Sequence, residues 1–250
     1  MRLDGKTIIV TGGASGMGRA TALMAAAAGA RVVIGDVNEE GGRKVVEEGK
    51  AAEASIDFVK LDLVDSASVD AFADAVHSRA GGAVGALVNA AGWDRIQNFV
   101  DNDPSVWDRV IAINLMGGIR LTQKVVARMV ENRSGKIVNV ASDAGRVGSS
   151  GEAVYAAAKG GMIAFTKSLA RELARYRINV NVVCPGPTDT PLFHQQPDEK
   201  RKDALVRAIP FRRLGKPEEM ADAIMFFLSH HSDYITGQTL SVSGGLTMSG

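Results

Sequence analysis

The chain predicts an α/β fold in which one doubly wound parallel sheet carries helices on both faces. Three observations lead there. Short β-branched runs alternate with helical stretches through all 250 residues. A glycine-rich turn joins the first strand to the first helix. Every candidate site residue falls at, or just past, the C-terminal end of a strand, where an open sheet of this kind binds ligands. With 46% hydrophobic residues and a net charge of +1, the chain lacks the basic excess of a nucleic-acid binder. No linker, repeat or low-complexity tract divides it, so residues 1–250 read as a single domain. No apolar run reaches the roughly 18 residues needed to cross a bilayer. The start, MRLDGKTIIVTGG, lacks the apolar core of a secretory signal, which makes the cytoplasm the expected location. Cys184 is the sole cysteine, read as buried and inert in INVNVVCPG, and the 4 histidines have no ligand spacing. No metal site is expected.

The elements follow in order. Thr7–Val10 form a strand that runs into Thr11-Gly12-Gly13-Ala14-Ser15-Gly16-Met17-Gly18, and RATALMAAAAGA is helical. Gly12, Gly16 and Gly18 remove side chains where a backbone turns tightly, approaches a pyrophosphate and packs a helix on a sheet, the Rossmann-type arrangement. The helix start, with Ser15 and Met17, offers N–H groups and a positive dipole end to phosphate. Arg31 to Gly35 form a second strand ending at Asp36. A carboxylate there accepts hydrogen bonds from both ribose hydroxyls of an adenosine and repels a 2′-phosphate, and no cation follows at Val37 or Asn38. The cofactor expected is NAD rather than NADP; the competing role for Asp36 is to cap the next helix. IDFVKLDL is a third strand ending at Asp62-Leu63, with Asp62 either on an adenine amino group or a plain loop aspartate. AVGALVNAAGW is a fourth, closing on Asn89-Ala90-Ala91-Gly92, small enough to lie flat against a nucleotide.

A helix from about Ser105 carries Asn114 among apolar neighbours, an expensive residue there without partners. It either props the Asn89 turn or bends the helix and holds a water near Lys159. Lys136 to Ala141 form a fifth strand leading to Ser142, and AVYAAAKGGMIAFTKSLARELARY is a long helix. INVNVVCPGPTDTP is a sixth strand ending in Pro185-Gly186-Pro187-Thr188. The polar stretch 190–214 reads as a lid over the cleft or as a solvated excursion. PEEMADAIMFFLS is a last helix and TGQTLSVSGGLTM a closing edge strand.

Tyr155 and Lys159, four residues apart, share one helix face. A phenol that works as general acid or base near neutrality needs its pKa, ordinarily about 10, brought down, and a neighbouring ammonium favours the phenolate. Ser142 is placed to hydrogen-bond the substrate oxygen opposite the tyrosine.

Together TGGASGMG, Asp62, NAAG, Asn114, Ser142, Tyr155-Ala-Ala-Ala-Lys159 and Pro185-Gly186 identify the chain as resembling the short-chain dehydrogenase/reductase family along essentially its whole length. The resemblance implies that Tyr155 is the acid/base, Ser142 orients the substrate oxygen, Lys159 holds the nicotinamide ribose and Asn114 keeps a water of a proton relay. It implies Thr188 at the carboxamide and a homotetramer. Many members have a second asparagine where Ala90 stands. Within the family, NAAGWD, ASDAGRVGSSGEAVYAAAKGG, NVVCPGPTDTPL and the tail resemble enzymes that oxidise a ring alcohol β to a CoA thioester, as in 2-hydroxycyclohexanecarboxyl-CoA. On that likeness Trp93, Asp143 and Arg146 are substrate contacts. Arg146, Lys200, Arg201, Lys202 and Arg207 are the cations available to a CoA tail, or only a solvated face. The alternatives are a 3-oxoacyl-ACP reductase, a dehydrogenase of free secondary alcohols, and a nucleotide-sensing regulator without catalysis. Such reductases usually draw on NADPH, which Asp36 opposes.

Overall fold

Seven parallel strands form one sheet in the order β3-β2-β1-β4-β5-β6-β7: β1 Thr7–Thr11, β2 Arg31–Asp36, β3 Ile56–Lys60, β4 Val84–Asn89, β5 Gly135–Val140, β6 Ile178–Pro185 and β7 Thr239–Val242. This computed structural model describes residues 1–79, 84–196 and 198–248, so residue 197 of the expected lid lies outside them. The helices are α1 Gly16–Ala27, α2 Glu39–Ala51, α3 Ser66–Arg79, α4 Pro104–Ile111, α5 Gly117–Asn132, α6 Ala144–Val147, α7 Ala153–Leu173, α8 Pro191–His194, α9 Glu199–Ala208 and α10 Pro217–Leu228. Strand order reverses between β1 and β4, whose ends Thr11 and Asn89 pair side by side. The crevice at such a reversal is the ligand position of a doubly wound sheet.

Period-two alternation sends each strand's side chains to two cores. Ile8, Val10, Val32 and Ile34 pack with Ala22, Ala25, Ile224 and Phe227 of α1 and α10. Ile9, Val33 and Leu87 pack with Phe72, Leu121, Val125 and Met129 of α3 and α5. Each of the Val, Leu, Ile, Phe and Met side chains among these contributes about 1.5–3 kcal/mol of burial. The third strand stops at Lys60, short of the expected Leu63, because Ser68 Oγ accepts the Asp62 N–H and the Asp62 carboxylate accepts the Val64 N–H, both at 2.9 Å. That loop turns the chain off the sheet edge. The closing strand β7 pairs with β6 in parallel, from Val182 beside Thr239 to Pro185 beside Val242.

Two polar features cross the interior. Asn89 Nδ2 donates to Asn139 Oδ1 (2.8 Å) and Thr122 Oγ1 (3.1 Å), and Asn139 Nδ2 donates to Thr166 Oγ1 (2.8 Å). This chain ties β4 and β5 to α5 and α7 beneath the site. Between α4 and α5 the helix widens into a π turn, Ala112–Met116, with Asn114 buried in it. The run Pro104–Asn132 is apolar enough to span a bilayer by length and composition alone, and charged residues such as Arg109, Arg120 and Lys124 interrupt it. Its apolar face is Leu121, Val125 and Met129, packed against the sheet.

Candidate active site

The glycine turn is built from backbone. Gly12 sits at φ +68°, and a Cβ on it would stand 2.7 Å from Ala91 Cα; one on Gly18 would stand 2.2 Å from Gly12 O. No other residue type fits these two places. Ser15 caps α1 in an extended conformation without a side-chain bond across the first turn, leaving that turn's N–H groups facing the cleft. Asp36 accepts the Ala14 N–H (3.0 Å) on one oxygen and the Asn38 N–H (2.9 Å) on the other. The helix cap is Asn38, which accepts the Gly41 N–H, so the alternative role for Asp36 is taken by its neighbour. Gly12, Ser15, Gly16, Met17, Gly18, Asp36, Val37, Asp62, Leu63, Ala90, Gly92 and Trp93 line one cavity of about 270 Å³ with Tyr155 and Lys159. A cradle of open amides at one end, a fixed carboxylate at the next strand and a lysine at the far end fit a dinucleotide.

A second cavity of about 390 Å³ lies beside it, lined by Ser142, Asp143, Pro185, Gly186 and Thr188 together with Asp94, Glu152, Leu192, Phe193, Arg201, Leu205 and Leu246. Tyr155 borders both cavities and is the one titratable residue common to them. The Ser142 hydroxyl hydrogen-bonds the phenol. Lys159, buried, donates to Val140 O at 2.9 Å and lies 5.6 Å from the Tyr155 ring centre. Burial holds its ammonium down to about 8. The phenol is not acidified as the Tyr-Lys spacing predicts. Burial, then Glu152, then Asp94 push it above its ordinary value, against the Ser142 bond alone. The physical reason is burial of the phenol first, then the two carboxyls that face it, while the lysine's head is directed at the Val140 carbonyl.

Several expected contacts take other partners. Asn114 bonds both the end of the Asn89 turn and its own helix: its amide donates to Trp93 O (2.6 Å) and Val110 O (2.9 Å), and Oδ1 accepts the Trp93 N–H (3.3 Å). It lies beside Lys159, since a Cβ on Gly92 would meet Asn114 Oδ1 at 3.2 Å and Lys159 Nζ at 3.6 Å. Asn89 turns into the core rather than towards the cofactor cavity, held by Thr122 and Asn139. Asp143, although at the cavity wall, receives the Ser241 hydroxyl on its carboxylate (2.6 Å) and so anchors β7. The Arg146 guanidinium lies 3.9 Å from Asp143 and is not among the cavity's walls. Trp93 faces the cofactor cavity, with the Arg109 guanidinium 4.3 Å over its ring. Thr188 Oγ1 donates to Gly186 O (2.9 Å). Of the cations expected for a CoA tail, Lys202 is buried on Glu199 and His194 O, Arg201 donates to Ser150 O (2.5 Å), and Lys200 and Arg207 are exposed. Burial raises the Cys184 thiol to about 12, as its apolar strand predicts. Asp94, Glu152 and the wall residues Leu192 and Phe193 are not singled out by the sequence. The one local signal is Glu152, three residues before Tyr155 and so on its side of the helix.

Comparison with known proteins agrees with this geometry. A family model described as enoyl-(acyl carrier protein) reductase matches residues 12–247. A 3-oxoacyl-[acyl-carrier-protein] reductase of Thermotoga maritima is 41% identical, covering 99% of this chain and all of that one. The Escherichia coli protein of the same description is 38% identical over the same shares. Among solved structures, gox2181 superposes with a TM-score of 0.93 at 33% identity, covering 98% of this chain and 96% of that one. An actinorhodin polyketide ketoreductase with NADPH gives 0.91, also at 33%, covering 98% and 99%. None of these four carries the name of the ring-thioester dehydrogenase that the loops resemble. The glycine cradle, the Ser142–Tyr155–Lys159 cluster and these full-length likenesses place the chain in the short-chain dehydrogenase/reductase family.

Proposed function

We propose that this protein reduces a 3-oxoacyl thioester to the 3-hydroxyacyl thioester with NADH. The observation that carries the reading is Tyr155, hydrogen-bonded to Ser142, at the junction of the two cavities. A carbonyl oxygen held by Ser142 there meets the phenol, and a neutral phenol is the proton donor that ketone reduction requires. A nicotinamide dinucleotide, with the glycine turn and Asp36 to hold its adenosine half and Lys159 its nicotinamide half, would supply the hydride. Ser142 fixes the substrate oxygen, Tyr155 delivers the proton to it, and Lys159 holds the sugar side of the cofactor cavity. The apolar wall of Ile96, Leu192, Phe193, Leu205 and Leu246 suits an acyl chain and excludes water. The names of the 41% and 38% identical relatives support the 3-oxoacyl substrate and an acyl-carrier-protein handle.

NADH rather than NADPH follows from Asp36. The cations among that cavity's walls are Arg109, under which Trp93 lies, and Lys159, beside Tyr155. Neither stands on β2 or the turn after it to offset the repulsion between Asp36 and a 2′-phosphate. The same carboxylate favours a second reading, NAD-dependent oxidation of a β-hydroxyacyl-CoA such as 2-hydroxycyclohexanecarboxyl-CoA. Initial rates on 3-oxoacyl thioesters of acyl carrier protein and of CoA, on a matched free ketone and on the ring hydroxyacyl-CoA decide between them, each with NAD(H) and NADP(H). Faster turnover of the carrier-protein thioester with NADH is expected. Preference for NADP(H) overturns the cofactor assignment, and equal rates on the free ketone overturn the thioester. A homotetramer belongs to the same reading and is checked by sedimentation.

A further inference from the structure

Two carboxylates stand at the reacting phenol without a part in the chemistry above. Asp94, on the loop after β4, and Glu152, just before α7, line the cavity that holds Ser142 and Tyr155. Their loops are tied together by the Gln97 N–H, which donates to Gly151 O at 2.9 Å. Asp94 takes a bond from the Arg95 backbone and lies against the Glu152 carboxyl, yet its Oδ2 is buried with no protein donor on it. Glu152 accepts the Ser149 hydroxyl, and Arg201 of α9 stands 3.6 Å away. A carboxyl with a buried oxygen beside a second carboxyl does not ionise cheaply, so Asp94 is held above the ordinary carboxylate range.

We propose that Asp94 and Glu152 are positioning residues for Tyr155: set together on the cavity wall beside it, they keep the phenol neutral and set the pH range over which it gives or takes a proton. The charges around them do not cancel this. Arg201 pulls Asp94 down, but burial and Glu152 outweigh it, and Asp94 titrates at about 7. Lys159 is directed at Val140 O, and Cys184 of β6, the remaining titratable group at the phenol, is a neutral thiol at that pH. A phenolate formed between these groups faces like charge, so the neutral form persists to higher pH. Because one ionisation serves both directions, the falling limb of reduction and the rising limb of oxidation lie at the same pH.

The inference rests on Tyr155 as the proton-transferring group, not on the thioester: any ketone and alcohol pair that the enzyme turns over will serve. The test is kcat/KM against pH in both directions for wild type, Asp94→Asn, Glu152→Gln and Asp94→Glu, with NADH affinity followed by fluorescence. In Asp94→Asn and Glu152→Gln both limbs should move down by about one pH unit, which is about tenfold more oxidation at a fixed pH on the rising limb. In Asp94→Asn the wild-type inflection near pH 7 should vanish, and in Glu152→Gln it should move down. Asp94→Glu should restore the wild-type profile, and NADH affinity should stay within about twofold. Limbs that stay in place in an active variant, or a loss of kcat equal at every pH, overturn the pair while leaving the proposed reaction standing. Should Asp94→Asn not fold, Glu152→Gln reads the same pair: limbs that move down support it, and limbs that stay in place overturn it.

Discussion

The two cavities that meet at Tyr155 are made in different ways. On the cofactor side, the positions that matter are backbone: glycines where a Cβ would sit 2.2–2.7 Å from another main chain, open amides at the start of α1, and one carboxylate fixed by two N–H groups. On the substrate side the walls are side chains from the β4 and β5 loops, α7, α8, α9 and the tail. A site made of backbone has few sequences that can build it. A site made of side chains from many segments can be relined while the fold stands, which is where one family gains many substrates.

The sharpest break in that contrast is Tyr155→Phe, which removes the one titratable group both cavities share. A fall in kcat of about 10³-fold is expected, with NADH affinity retained; rapid-quench turnover and fluorescence titration check the two halves. Next is Gly18→Ala, which drives a methyl into the Gly12 carbonyl. About 1–3 kcal/mol of strain should appear as weaker NADH binding and a lower Tm, while the reciprocal change on the substrate side, Leu205→Ala, should alter KM for acyl substrates alone. Asp36→Asn should narrow the NADH to NADPH preference by about tenfold in kcat/KM by removing the repelled charge.

The smallest effect expected is on stability. Asp94 is held above its ordinary range, so the folded chain binds a proton that the unfolded chain has released. The cost of its ionisation therefore grows as pH rises from the ordinary carboxylate range to about 7 and is complete above that. Asp94→Asn should raise Tm by about 2–4 °C at pH 8, and by less at pH 5, in paired calorimetric scans.

The contrast also explains what the sequence disclosed. Strand alternation, the spacing of Gly12, Gly16 and Gly18, and Asp36 at a strand end are local patterns imposed by backbone geometry, so they can be read directly. Tyr155, Lys159 and Ser142 can be read because two lie on one helix and the third closes a strand. Asp94 and Glu152 are 58 positions apart in the chain and meet only because two loops fold together. Asp143 resembles a substrate contact because it follows Ser142, yet Ser241, nearly a hundred residues later, takes its carboxylate inward. Asn89 reads as a nucleotide contact from its place in NAAG, but its amide completes the polar chain across β4 and β5. The sign of the tyrosine shift is not legible because spacing along a helix shows proximity and does not show where an ammonium points.

The π turn at Ala112–Met116 constrains how this enzyme can change over time. Its wide turn takes up one extra residue while α4 and α5 keep the phase of a continuous helix. Deleting one residue there would close it to an ordinary turn and leave both flanks near their present phase. Such a deletion would draw in the backbone that carries Asn114 and break its bonds to Trp93. Length variation should therefore be tolerated at the ends of this helical run and purged from its middle.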